Sequence, residues 1–152
     1  MKAQGADKKR SDSTPRYTRI EHTADIGIRV QGGTLEELFR NAALALFDLI
    51  ADRAAVRPKE TVRIEAEGID RETLLVAWLG ELLYKFNVQG FAFHDCAIDR
   101  LEEKRVIGTA RGEPLDPERH APEEEIKSVT YHQLYVKQLP SGELEAQIIF
   151  DV

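Results

Sequence analysis

Cysteine is nearly missing from this sequence. Cys96 is the single one in 152 residues, so no disulfide can form within the chain. That usage suits a reducing compartment, and the cytoplasm is the expected location. No apolar run approaches the roughly 18 residues of a membrane span, and the amino terminus has no apolar signal core, so no membrane association is expected. The glycine loops that cradle phosphates are absent as well: there is neither GxxxxGK[ST] nor a GxGxxG after a strand. No nucleophile elbow occurs. His22, His94, His120 and His132 show no HExxH spacing and no cysteine pairing, which argues against zinc. Positive charge is in deficit, with 21 Lys and Arg against 27 Asp and Glu and a net charge of −6. Proteins that grip nucleic acid directly present a basic patch, so no tight direct nucleic-acid binding is expected; the balance favours a protein or a cation as partner.

What is present is the composition of one soluble globular domain, 42% hydrophobic and 32% charged. Residues 1–15 hold too little apolar surface to offset the entropy of ordering and read as a disordered tail; residues 16–152 read as the domain. Tyr17 to Glu21 and Asp25 to Gln31 have strand character, the second with Ile26, Ile28 and Val30 on one face. Thr34, with Glu37 three residues on, opens a helix whose apolar stripe is Leu35, Leu38, Phe39, Ala42, Leu46, Leu49 and Ile50. Thr61 to Glu67 alternates again. Asp70 caps a second helix carrying Leu74, Leu75, Trp78, Leu79, Leu82, Leu83 and Phe86. Within it, Gly80 costs about 1 kcal/mol relative to Ala and points to close packing. Strands are then expected over Phe91 to Arg100, Arg105 to Gly112, Lys127 to Gln138 and Leu144 to Asp151. The resulting fold class is α+β: a single domain with two amphipathic helices packed on a largely antiparallel or mixed β-sheet.

Two places concentrate chemistry. If Ile26, Ile28 and Val30 face the core, Asp25 faces away from it. In the last strand Leu144, Ala146, Ile148 and Phe150 alternate with Glu145, Gln147, Ile149 and Asp151, so Asp151 also leaves the main apolar face. The α-carboxylate of Val152 follows directly. Together with Asp25 these make three carboxylates, hard oxygen donors that suit Ca²⁺ or Mg²⁺. The same residues also read as an Asx-type turn and a solvated chain end. Arg111 to His120 is rich in proline and charge and reads as an irregular surface loop. His94 and His132 read as packing or surface residues, and Cys96 as a small buried hydrophobe rather than a nucleophile.

Four stretches stand out together: Glu21-His22-Thr23-Ala24-Asp25-Ile26-Gly27-Ile28; Asn41-Ala42-Ala43-Leu44-Ala45-Leu46-Phe47-Asp48; Gly112-Glu113-Pro114 with Arg119-His120; and Ile126-Lys127-Ser128-Val129-Thr130-Tyr131-His132. With the final Asp151 and one aliphatic residue after it, the chain from Tyr17 to Val152 resembles the archease family. The resemblance implies an accessory protein, not itself an enzyme. Its partner would be the GTP-dependent tRNA-splicing RNA ligase, whose guanylylation and multiple turnover it promotes. It further implies a divalent metal ion, calcium with magnesium as the alternative, held by Asp25, Asp151 and the carboxylate of Val152. The residues read without it leave two other functions open: a small Mg²⁺-dependent phosphoester hydrolase, or a protein-binding, chaperone-like module.

Overall fold

Where apolar residues alternate the chain forms strands, and where they recur at helical spacing it forms helices. The computed structural model describes residues 16–21, 25–122 and 124–152. The stretch read as a disordered tail lies outside the described residues, as do His22, Thr23, Ala24 and Glu123. In chain order the elements are β1 (Tyr17–Glu21), β2 (Asp25–Gly32), α1 (Leu35–Ile50), a 3-10 turn (Arg53–Ala55), β3 (Glu60–Glu67) and α2 (Arg71–Asn87). β4 (Phe91–Leu101), β5 (Arg105–Pro114), α3 (Pro117–His120), β6 (Ser128–Val129), β7 (Tyr135–Gln138) and β8 (Leu144–Asp151) complete them. The α+β class holds, and the pairings among the described residues are antiparallel. They form two sheets: one ordered β1-β2-β8-β6 with β7 also on β8, and one ordered β3-β5-β4.

The helices fill the space between those sheets. α1 touches β2 of the first sheet and β4 of the second, so it is buried on two sides. Ala43, Leu44, Ala45 and Phe47, outside the expected stripe, are as enclosed as Leu38 and Leu46. Phe47 stacks on Phe93 of β4 with ring centroids 4.5 Å apart. α2 lies on β3 and is locked to α1 by Trp78, whose Nε1 donates to the Phe39 carbonyl at 3.1 Å. The indole rests on β5 at Gly108, where a Cβ would come within 2.5 Å of the ring.

Both expected helix starts are present. Thr34 Oγ1 accepts from Glu37 N at 3.1 Å, but the Glu37 carboxylate takes the Gly33 N–H at 2.7 Å rather than that of the cap residue. Asp70 and Thr73 form a complete capping box at α2. Gly80 has open space around it and marks no close packing. The strand expected over Lys127 to Gln138 is instead two, β6 and β7, split by a turn. Thr130 causes the break: its N–H and hydroxyl both donate to the Ile149 carbonyl, at 3.0 and 2.8 Å, and its Oγ1 then accepts from His132 N. Gln133 follows at φ 53° and turns the chain back. The stretch Arg111 to His120 is ordered rather than irregular. β5 continues to Pro114, and Asp116 caps α3 with Pro117 at its first position.

Trp78 is fully enclosed and carries both the α1 link and the contact with Gly108. Trp78→Ala is expected to cost about 3–5 kcal/mol, the range for truncating a large buried aromatic. Chemical denaturation of parent and variant measures it, and an unmoved midpoint contradicts this packing.

Candidate functional site

β2 and β8 run antiparallel through eight consecutive pairs, and Asp25 stands directly opposite Asp151. Side chains of such a pair project from the same face with Cβ atoms about 4.5–5.5 Å apart. The alternation read from sequence therefore places both aspartates together, on the face away from Ile26, Ile28 and Phe150. Their surroundings differ. Asp151 is exposed, while the Asp25 Oδ1 atom is buried and has no hydrogen-bond partner among the described residues. The strand end is tied down rather than frayed: Lys127 N donates to the Asp151 carbonyl at 2.7 Å, and the Val152 side chain packs against the core. Among the described residues, no three His, Cys, Asp or Glu side chains group closely enough to hold a metal. Asp25 and Asp151 are two facing carboxylate side chains, one short of such a group.

The face around Asp25 is supported by its neighbours. Gly27 admits the Ile149 side chain, whose Cδ1 would lie 2.6 Å from an added Cβ. Ile149 and Asp25, with His132 and Gln133, line a cleft of about 80 Å³. The turn that carries the last two is anchored by Gln147, which donates to the Gln133 carbonyl at 3.0 Å and accepts from Arg29 at 2.9 Å. Farther along, Glu145 accepts from Gln31 and from the Tyr135 hydroxyl, both at 2.8 Å. The bond from Gln31 is the main reason the Glu145 carboxyl sits below the usual range. Glu145 and Gln147 are buried and bonded on each side-chain polar atom, while Arg29 Nε beside them is buried without a partner among the described residues.

A second polar centre lies elsewhere, on Glu113, Arg119 and His120. Glu113 Oε2 gathers Arg119 Nη1 at 2.7 Å, His120 Nε2 at 2.8 Å and the Arg57 backbone N–H at 2.8 Å. His120 is wholly enclosed, and Asp116 N donates to its Nδ1 at 2.9 Å, so Nε2 carries the proton given to Glu113. The Arg119 guanidinium, then the Arg57 amide, holds the Glu113 carboxyl far below the carboxylate range. Arg119 also donates to the Ala55 carbonyl at 2.8 Å. Cys96 is buried as expected, and burial pushes its thiol up to about 12, which leaves it unreactive.

Comparison with known proteins identifies the family. The family model of the Archease protein family (MTH1598/TM1083) matches residues 17–152. This chain belongs to the archease family. Relatives named "Protein archease" are 45% identical in Pyrococcus furiosus, over 90% of this chain and 98% of that one, and 44% identical in Methanopyrus kandleri, over 90% and 99%. The solution structure of Methanobacterium thermoautotrophicum protein 1598 aligns with a TM-score of 0.73 at 34% identity, covering 90% of this chain and 98% of that one. Within this archease the first stretch meets the final Asp151 at Asp25, and the last lies beside them through Ser128, opposite Asp151, and His132 in the Asp25 cleft; the part of the first that holds His22 to Ala24 lies outside the described residues. The second and third converge instead on the 3-10 turn, through Asp48 on one side and Glu113 with His120 on the other. Sequence reasoning missed that second meeting, because a charged, proline-rich stretch looks solvated. Asp116-Pro117, a cap followed by Pro at the first helical position, is the signal that could have exposed it.

The carboxyl of Glu113 is depressed in the folded state relative to its ordinary 4.5. Its stabilisation is therefore complete above that value and is lost as pH falls through the folded one. Glu113→Gln is expected to melt at a lower temperature than the parent at pH 7. The gap should narrow steadily as the pH drops below 4.5, as followed by circular dichroism; a gap independent of pH refutes the pairing.

Proposed function

We propose that this archease serves as an accessory protein of a GTP-dependent tRNA-splicing RNA ligase, promoting its guanylylation and repeated turnover. It does so with a divalent cation, calcium or magnesium, held by Asp25, Asp151 and the Val152 carboxylate. The observation that carries the ion site is the facing pair Asp25 and Asp151, with a buried Asp25 oxygen that no donor among the described residues satisfies. An unpartnered buried carboxylate oxygen is costly, and a second carboxylate opposite it adds repulsion; a hard cation relieves both. All three donors are oxygens, as such ions require. The neighbours then have a clear part: the turn through His132 and Gln133, anchored by Gln147, and Ile149 over Gly27 wall the cleft that the Asp25 carboxylate lines. Membership of the archease family supports the ligase as partner. The sequence supplies no phosphate-cradling loop of its own, so the nucleotide chemistry is assigned to that partner.

Calorimetric titration with Ca²⁺ and Mg²⁺ is expected to show one site in the parent. Asp25→Ala and Asp151→Ala should weaken it on the order of 100-fold or more while leaving the melt close to that of the parent, since neither belongs to the core. The same variants should fail to stimulate guanylylation when added to the ligase with GTP. Appending one residue after Val152 is expected to impair both readouts, because the carboxylate becomes a neutral amide. Variants that stimulate the ligase as well as the parent would falsify the ion's role. A parent without effect on the ligase would remove the accessory reading itself.

A further inference from the structure

A cavity of about 590 Å³ opens at the C-terminal end of α1, lined by Asp48, Asp52, Arg53 and His94 together with small alanines. It shares no lining residue with the proposed ion site, and its chemistry is separate. Asp48 has both oxygens occupied, Oδ1 by Arg53 Nε at 2.8 Å and Oδ2 by the Tyr17 hydroxyl at 2.9 Å. Arg53 is thereby neutralised, and its Nη1 donates to the His94 carbonyl at 3.3 Å. His94 Nδ1 lies 2.8 Å from the Val56 carbonyl, which can only accept, so Nδ1 carries the proton and Nε2 of the neutral ring remains an acceptor. Asp52 differs from Asp48. It is exposed, its side chain makes no capping bond, and among the described residues it has no ion-pair partner. The last turn of α1 holds no basic residue to balance the negative end of the helix dipole. Arg53 and Asp48 thus balance each other in charge, while the Asp52 carboxylate and His94 Nε2 remain as acceptors and one full negative charge is left over.

The walls are built in advance. Asp52 N donates to the His120 carbonyl at 2.7 Å, Arg119 holds the Ala55 carbonyl, and Glu113 takes the Arg57 amide. The buried centre at Glu113 and His120 therefore clamps the segment from Asp52 to Arg57 at three points. Rigid walls lower the cost of ordering on binding. Ala51, Ala54 and Ala121 leave room and apolar surface for an aliphatic stem beside the acceptors. A single uncompensated carboxylate is too little for a bare metal ion. A planar guanidinium, whose five donors fan outward, matches acceptors spread between Asp52 and His94 Nε2 better than a compact ammonium does.

We propose that this cavity receives an arginine side chain presented by a polypeptide partner. The site does not depend on the ion reading. The test titrates the isotopically labelled full chain with Nα-acetyl-arginine methylamide and, separately, with its uncharged citrulline counterpart, reading NMR shifts. The arginine probe is expected to give saturable shifts at Ala51, Ala54, Ala121 and His94, at concentrations on the order of millimolar for so small a ligand. Citrulline should give none. Asp52→Asn should weaken the response roughly tenfold, the difference between a charge-assisted and a neutral hydrogen bond. Ala54→Leu, at an exposed position on the rim, should abolish it by filling the mouth. Equal shifts with citrulline, an undiminished response in Asp52→Asn, or shifts at these residues no larger than those around Glu102 and Glu103 overturn the proposal.

Discussion

The ladder between β2 and β8 is the constraint on which the rest of this structure depends. Side chains alternate with a period of two, so a slip of one residue would send every one of them to the other face. Ile26, Ile28 and Val30 would then meet solvent, and Asp25 would turn into the core. Eight matched pairs, with Ala146, Ile148 and Phe150 buried on the same side, make that slip costly. The two aspartates thus owe their encounter to apolar burial on the opposite side of the sheet. No attraction between them is needed, and none is available between like charges. The core enforces a contact that the polar face alone would not adopt.

Much of this was legible in the sequence because the signals are local. Alternation set the bounds of β8 and the outward aspect of Asp25 and Asp151; Thr34 and Asp70 marked the helix starts. The parts that were not legible depend on distant chain. A stripe analysis assumes one buried face, so it passed over Ala43, Leu44, Ala45 and Phe47, which are buried because a second sheet covers the far side of α1. One sheet was expected, and two form. Thr130 broke an expected strand because its partner, the Ile149 carbonyl, lies in another strand. Arg111 to His120 looked solvated by composition, yet Glu113 and His120 are buried by satisfying each other. Composition counts charges and does not show which of them are paired.

The two polar centres illustrate opposite uses of a buried carboxylate. Glu113 is surrounded by donors and serves as an anchor, bracing a 3-10 turn and the wall of a cavity. Asp25 has a buried oxygen with no donor among the described residues, beside a layer in which Gln147, Glu145 and Gln31 are bonded and Arg29 Nε is not. Buried polar atoms without a partner are rare in folded proteins, and at Asp25 the proposed ion is what would account for one.

The placement of β8 also bears on how the molecule is made. β3, α2, β4 and β5 are close in sequence and can assemble early, whereas β2 and β8 close a loop of most of the chain. On a ribosome the hairpin of β1 and β2 must wait with one edge bare, a state prone to mispairing. Asp25 is synthesised early but has no facing carboxylate until β8 emerges. A stalled or shortened product would contain Asp25 and still lack the pair, so the pair records that translation has run through β8.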